Sequence, residues 1–377
     1  MTSTWDVVVV GGGAIGAACA RELALAGQQV LVVESGGELG QAWRAAGGML
    51  APQIEANGDD VLLDLGLKSR DMYASLTGAL GDTTGIDIGL WQEGIARVAA
   101  DSDEALVLQA KVAWQQAHGH PSEWLDATEI RRRWPWLGPM VGALWAPTDG
   151  ALEPTRLVEA LLTDARRLGA TVINDRIRAL DRSGQRITGV TGHIGHYSTA
   201  AVVIAAGAWS PLIEGLPRQL PVTPVRGQMA ALRWPEGVHR AIIYQKDSYI
   251  LARGPEAILG STMEYVGFHP EVTASGLAGI FSSTITLSPS LARGKIRRSW
   301  AGLRPITPDG LPIIGAEPDL PGLWYATGHG RNGILLAALT GRVVARMVGG
   351  EPSVEDLSRV SVTRFAPGHR VSPAPRL

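Results

Sequence analysis

The sequence predicts an α/β protein of two domains, one of parallel βαβ type and discontinuous along the chain, the other built on an antiparallel sheet. Three observations carry this. The first 34 residues read as strand, glycine turn, helix, strand and acid. A strand of the same wholly apolar kind returns at 201–207, so the first domain is resumed far downstream. Beyond it, residues 221–259 alternate strand-like runs with turns, the pattern of an antiparallel sheet.

Composition narrows the possible functions. A chain of 377 residues is long enough for two large domains with buried cores. With 45% hydrophobic and 19% charged residues, neither disorder nor coiled coil is its main theme. Thirty-four Lys and Arg against 36 Asp and Glu leave a formal charge of -2, which offers no positive excess to attract a nucleic acid. The single Cys19 excludes an intramolecular disulfide and a cysteine-based metal cluster, so redox chemistry here requires a bound cofactor. Forty-seven glycines far exceed the usual ~7% and indicate tight turns and close backbone approaches. The N-terminus lacks a positive leader region, and the apolar stretch from Val7 to Ala20 is broken by three glycines and ends at Arg21. That is short of the ~20 residues a membrane span needs, and the expectation is a cytoplasmic protein with no integral membrane segment.

Taken in order, Asp6 to Val10 is a β-branched run suited to a central parallel strand, and it enters the turn Gly11-Gly12-Gly13-Ala14-Ile15-Gly16. A helix follows from Ala17 to Leu25, stopped by Gly27, and a second buried strand from Gln29 to Val33 ends at Glu34. Helical spacing recurs over 59–80, 101–118 and 126–134, the last stopped by Pro135. The stretch from Trp91 to Trp145 reads as a separate lobe. A helix from Glu153 to Leu168 precedes a strand at 171–174 and two short segments at 177–181 and 187–191. Strand-like runs then occupy 229–232, 241–244 and 249–251, with a helix over 275–287. The tail after Gly350, rich in Pro and Arg, reads as a surface segment. The resulting division gives 1–85, 146–215 and 300–377 to the first domain, and 86–145 and 216–299 to the second.

The glycine spacing has a mechanism. Gly11 permits the sharp turn, Gly13 lets the backbone approach a pyrophosphate, and Gly16 lets the helix pack on the strand, while the helix N-terminus offers free N–H groups to phosphate oxygens. Glu34 is placed to accept from ribose hydroxyls, which disfavours a 2′-phosphate and hence NADP. The first domain is therefore a Rossmann-like dinucleotide-binding unit.

Further segments are distinctive: Ala45-Ala-Gly-Gly-Met-Leu-Ala-Pro52, Val203-Ile-Ala-Ala-Gly-Ala-Trp209, Val225-Arg-Gly-Gln228, Trp300-Ala-Gly-Leu-Arg-Pro305 and Gly328-His-Gly-Arg-Asn-Gly-Ile-Leu-Leu336. Their order and separation, to about Gly350, resemble the glycine oxidase branch, of the thiamine pathway, within the FAD-dependent amine oxidases. That superfamily includes D-amino acid oxidase and sarcosine oxidase.

The resemblance implies a two-domain flavoprotein with substrate bound between its domains. It places the adenosine half of FAD on Gly11, Gly13, Ala14, Ile15, Gly16, Glu34 and Ser35. Arg44, Ala45, Ala46, Gly47, Gly48 and Met49, with Ala206, Gly207 and Trp209, come near the pyrophosphate and ring. Ile177 touches the adenine through its backbone. His329 and Gly330 are neighbours of the flavin, and the helix starting at Asn332, Gly333, Ile334 and Leu335 faces its pyrimidine end, where N–H groups stabilise negative charge. Cys19 lies far from the C-terminal region where sarcosine oxidases attach flavin, so FAD is expected to be non-covalent.

Arg304 matches the substrate-carboxylate arginine and Tyr249 a tyrosine bonding the same group, with Arg331 on the amine side and Met49 and Met263 lining the cavity. Taken alone, Arg304 reads as an ion-pair residue, Tyr249 as half-buried core and the methionines as filling. A guanidinium fork meets a carboxylate with two parallel bonds that lysine cannot reproduce. Trp43-Arg44 and Ala252 depart from the family, which carries small or hydroxyl residues at the former and proline at the latter. Arg131-Arg-Arg-Trp-Pro-Trp136 reads as a solvated helix end, and His118-Gly-His120 has no metal-ligand spacing.

The implied reaction is oxidative deamination of glycine, sarcosine or D-alanine by hydride transfer to flavin N5, with oxygen as acceptor and hydrogen peroxide as product. A homo-oligomer is expected. A dehydrogenase passing electrons to a quinone or carrier, a flavin-binding redox module without turnover and an NAD dehydrogenase remain as alternatives.

Overall fold

The computed structural model describes residues 5–36, 40–235, 239–246 and 248–365. Two large sheets organise the chain. The six-stranded sheet runs, edge to edge, Ile313–Ala316, Leu323–Thr327, Val202–Ile204, Val7–Val10, Val30–Glu34 and Thr171–Asn174, parallel throughout except for the first of these edge strands. Its strands are apolar at successive positions because both faces are covered. Val7, Val9, Val30, Val32 and Val203 lie in one core with the helices Ala14–Leu25, Pro154–Arg167 and Gly333–Val348. Val8, Val10, Leu31, Val33, Val202 and Ile204 lie in another, with the three-stranded antiparallel sheet of 177–198.

The second sheet has nine strands: Gly40–Gln41, Ile296–Ile306, Thr223–Arg233, Glu256–Gly260, Ser248–Arg253, Ile242–Gln245, Ile95–Ala99, Gly142–Ala146 and Glu123–Asp126. Its pairing is antiparallel except where 242–245 meets 95–99 and where 296–306 meets 40–41. One face packs on the helix Ala274–Leu287 and on Trp134 and Trp136; the other, carrying Tyr244, Tyr249 and Met229, packs on Ile54 and the helix Ser102–Ala117.

Four differences from the sequence reading have physical causes. The stretch 91–145 is no separate lobe, since its three strands extend the nine-stranded sheet through the pairing of 95–99 with 242–245. The boundary drawn at residue 300 falls inside the strand Ile296–Ile306, whose ten-residue register with Thr223–Arg233 is set by backbone pairing and leaves little composition signal. The helical run over 59–80 is two helices, Val61–Asp71 and Tyr73–Thr84, meeting at Met72. The tail is tied down as far as it is described, because Val360 and Val362 are buried in the two cores flanking the six-stranded sheet. Residues 366–377 of that tail lie outside the described residues.

Candidate active site

The carboxyl ends of the parallel strands open into one cavity that reaches across to the Tyr249 face of the nine-stranded sheet. At its first end, Gly11 adopts φ 104°, and a Cβ there would sit 2.5 Å from the Ala205 carbonyl oxygen. Only glycine fits. Gly13 is the N-cap of the first helix and supplies no side-chain cap, and with Ala14 and Ile15 it lines the cavity, so this helix start is open to a phosphate acceptor. Glu34 closes the second strand; its carboxylate accepts from the Gly12 N–H at 2.5 Å, from the Gly36 N–H at 3.2 Å and from Gln41 Nε2 at 2.7 Å. A carboxylate has about four lone-pair sites, so one remains for a ribose hydroxyl. Ser35, Ile177, Ala206, Gly207 and Trp209 line the same wall.

In the middle, Ala45, Ala46, Gly47, Gly48 and Met49 pass along the cavity, and His329, Gly330, Asn332, Gly333 and Ile334 face it from the start of the last helix. That helix also lacks a side-chain cap. Burial without a charged partner holds the His329 imidazole down to about 3, so it is neutral near pH 7, with Nε2 3.2 Å from Thr340 Oγ1. An uncapped helix start at the first end and another in the middle, a left-handed glycine at a backbone contact and a ribose-directed carboxylate together fit an extended dinucleotide such as FAD.

At the far end, Arg304 reaches the wall from the strand Ile296–Ile306. Its Nη1 donates to the Thr262 carbonyl at 3.0 Å and its Nη2 to Ser261 Oγ at 2.9 Å, and no carboxylate pairs with it among the described residues. Burial depresses the guanidinium, and repulsion from Arg331 acts in the same direction. Gly227, opposite Gly302 in the neighbouring strand, leaves the space the guanidinium fills, since a Cβ at 227 would fall directly on it. The acceptors are pinned in turn: Thr262 Oγ1 donates to Glu264, which the buried Arg226 holds at 2.8 Å.

Tyr249 is buried beside Arg304, its hydroxyl donating to Met229 Sδ at 3.3 Å. Burial raises its pKa, so it stays a neutral donor. Arg331 pairs with Glu55 at 3.1 Å, and this carboxylate, ahead of all other influences, raises the guanidinium pKa. Glu55 also accepts from the Tyr244 hydroxyl at 2.7 Å.

Four residues expected at the site do not line the cavity. Gly16 packs behind the turn, where a Cβ would strike the Gly11 carbonyl. Arg44 is exposed, stacked 4.2 Å over Trp43 and bonded to Gln41 at 2.6 Å. Leu335 turns into the core, its carbonyl accepting from Ser69 Oγ at 2.6 Å. Met263 points outward and is 45% exposed. Glu55, Trp43, Gly227 and Ser261 do line the cavity and carried no sequence expectation as site residues. Trp43 had a signal, its departure from the family pattern, and a Cβ on Gly13 would lie 3.1 Å from its ring.

Comparison with known proteins agrees with this geometry. The family described as FAD dependent oxidoreductase matches residues 6–347. A glycine oxidase of Geobacillus kaustophilus is 36% identical over 97% of this chain and 98% of its own length. The crystal structure of glycine oxidase from that organism superposes with a TM-score of 0.93 at 33% identity, covering 97% of this chain and all of that one. A bifunctional protein ThiO/ThiG of Nostoc sp. is 37% identical over 96% of this chain, which spans 55% of that protein.

Proposed function

The chain belongs to the FAD-dependent oxidoreductase family, and on that premise we propose that it oxidises glycine and other small amines bearing one carboxylate, such as sarcosine and D-alanine. The observation that carries this reading is Arg304, a guanidinium on the cavity wall whose bonds go only to neutral acceptors among the described residues. A cation so placed is completed by an anionic substrate group.

FAD held there would supply a two-electron acceptor for the substrate's α C–H bond, with oxygen as the final acceptor and hydrogen peroxide as the product. The Rossmann-type end, from Gly11 to Glu34, would hold its adenosine and pyrophosphate non-covalently. The uncapped N–H groups at 333–334 would face the ring end, favouring negative charge there. Arg304 and Tyr249 clamp the carboxylate, which fixes where the α-hydrogen points. The rate then derives from positioning, with the amine neutral and no protein base required. His329, held neutral by burial, takes no proton near pH 7. The imine product takes up water to give the 2-oxo acid and ammonia, or methylamine from sarcosine. The likeness to a protein named ThiO/ThiG supports a place in thiamine thiazole synthesis.

Replacing Arg304 by Ala tests the clamp. One or two charge-assisted bonds are worth about 1.5 to 3 kcal/mol each, so kcat/KM for glycine should fall roughly ten- to a few-hundred-fold, with a raised KM. An unchanged KM removes Arg304 from carboxylate binding.

A further inference from the structure

Resting on that reading of the site, we infer that the Glu55–Arg331 pair is a specificity device: it limits the enzyme to substrates with a single carboxylate, and breaking it admits secondary amines that carry two. The charged side chains lining this end of the cavity are Arg304, Arg331 and Glu55, while Tyr249 on the lining and Tyr244 behind Glu55 are neutral. Two guanidiniums and one carboxylate leave one positive charge uncompensated. Arg253 and Lys111 stand nearby but off the lining, directed at the backbone carbonyls of Gly47 and Ile54.

The uncompensated charge belongs to Arg304, because Arg331 already donates to Glu55. Glu55 is not free to swing away. The Tyr244 hydroxyl holds the same carboxylate oxygen at 2.7 Å. The two residues before it are clamped through their backbone N–H groups, Gln53 at 3.1 Å and Ile54 at 2.9 Å, by the buried Asp149, itself bonded to Arg70 at 3.0 Å. A second carboxylate on the substrate would therefore find its natural partner occupied and a like charge beside it, a repulsive element of the kind that sets specificity. Glutamine at 55 keeps the shape and a carbonyl acceptor for Tyr244 while removing the charge, so Arg331 becomes available.

The experiment uses the FAD-loaded protein, Glu55→Gln, and the double variant Glu55→Gln/Arg331→Met. Sarcosine is compared with iminodiacetate, which is sarcosine extended by a second carboxylate, by kcat/KM in air and by anaerobic calorimetric titration of the protein with its flavin already reduced. The iminodiacetate-to-sarcosine ratio, in both measurements, is expected to rise about tenfold in Glu55→Gln, the worth of one freed charge-assisted bond, and to return to the parent value in the double variant. An unchanged ratio in Glu55→Gln overturns the inference, as does a gain that survives removal of Arg331 or the binding of neither ligand to any variant. A parent protein that binds these amines but oxidises none defeats the proposed function, while the calorimetric ratio still decides the role of the pair.

Discussion

At the scale of single residues, Gly227 gives the sharpest test of how Arg304 is held. The position has no left-handed backbone to explain its glycine; the reason is steric, since a Cβ would land on the Arg304 guanidinium. The displaced group is the far end of a flexible side chain, so Gly227→Ala should keep its unfolding midpoint close to the parent's while KM for glycine rises roughly tenfold, the cost of one misplaced charge-assisted bond. A lowered midpoint with unchanged KM would show that the strand, not the clamp, needs the glycine. Arg304 and Tyr249, which the resemblance singled out, do line the cavity, Arg304 from within the run Trp300–Pro305. Glu55 was not legible in the sequence: an acid ending the four-residue helix Pro52–Glu55 looks like any surface acid, and only folding brings Arg331, 276 positions away, to it. Met263 shows the converse, since its neighbours Ser261 and Thr262 hold Arg304 while its own side chain turns outward.

At the scale of elements, the first and last helices both present uncapped starts to the cavity and pack against each other along their lengths. Gly341 lies in that contact, where a Cβ would sit 2.7 Å from the Ala18 carbonyl carbon and 2.8 Å from its oxygen. These are backbone atoms, so relief requires the helices to move apart. Gly341→Val should destabilise the protein by about 1 to 3 kcal/mol, seen as a lower Tm, and weaken FAD retention because both helix starts shift. A Tm equal to the parent's would show that this contact is slack. The strands of the six-stranded sheet were legible because burial on both faces forces the continuous runs Val7–Val10, Val30–Val33 and Val202–Ile204. The strand Ile296–Ile306 was not, as its first residues Ile296 to Ser299 are exposed and mix charge with apolar side chains.

At the scale of the whole molecule, the two sheets divide the work. The parallel sheet brings glycine turns and helix starts to one side of the cavity, and the nine-stranded sheet brings Arg304, Tyr249 and Met229 to the other. Neither alone makes a site. Among the described residues no helix is long and apolar enough to cross a membrane, and no cluster of His, Cys, Asp or Glu could hold a metal ion. The central claim, that this cavity brings a small carboxylate-bearing amine to bound FAD, is tested most directly by the visible spectrum of the purified protein under anaerobic addition of glycine and sarcosine. The flavin band should bleach with at least one of them and return on admission of air, with peroxide formed. A yellow protein whose spectrum no small amino acid changes would contradict the claim and leave only the fold and its cofactor.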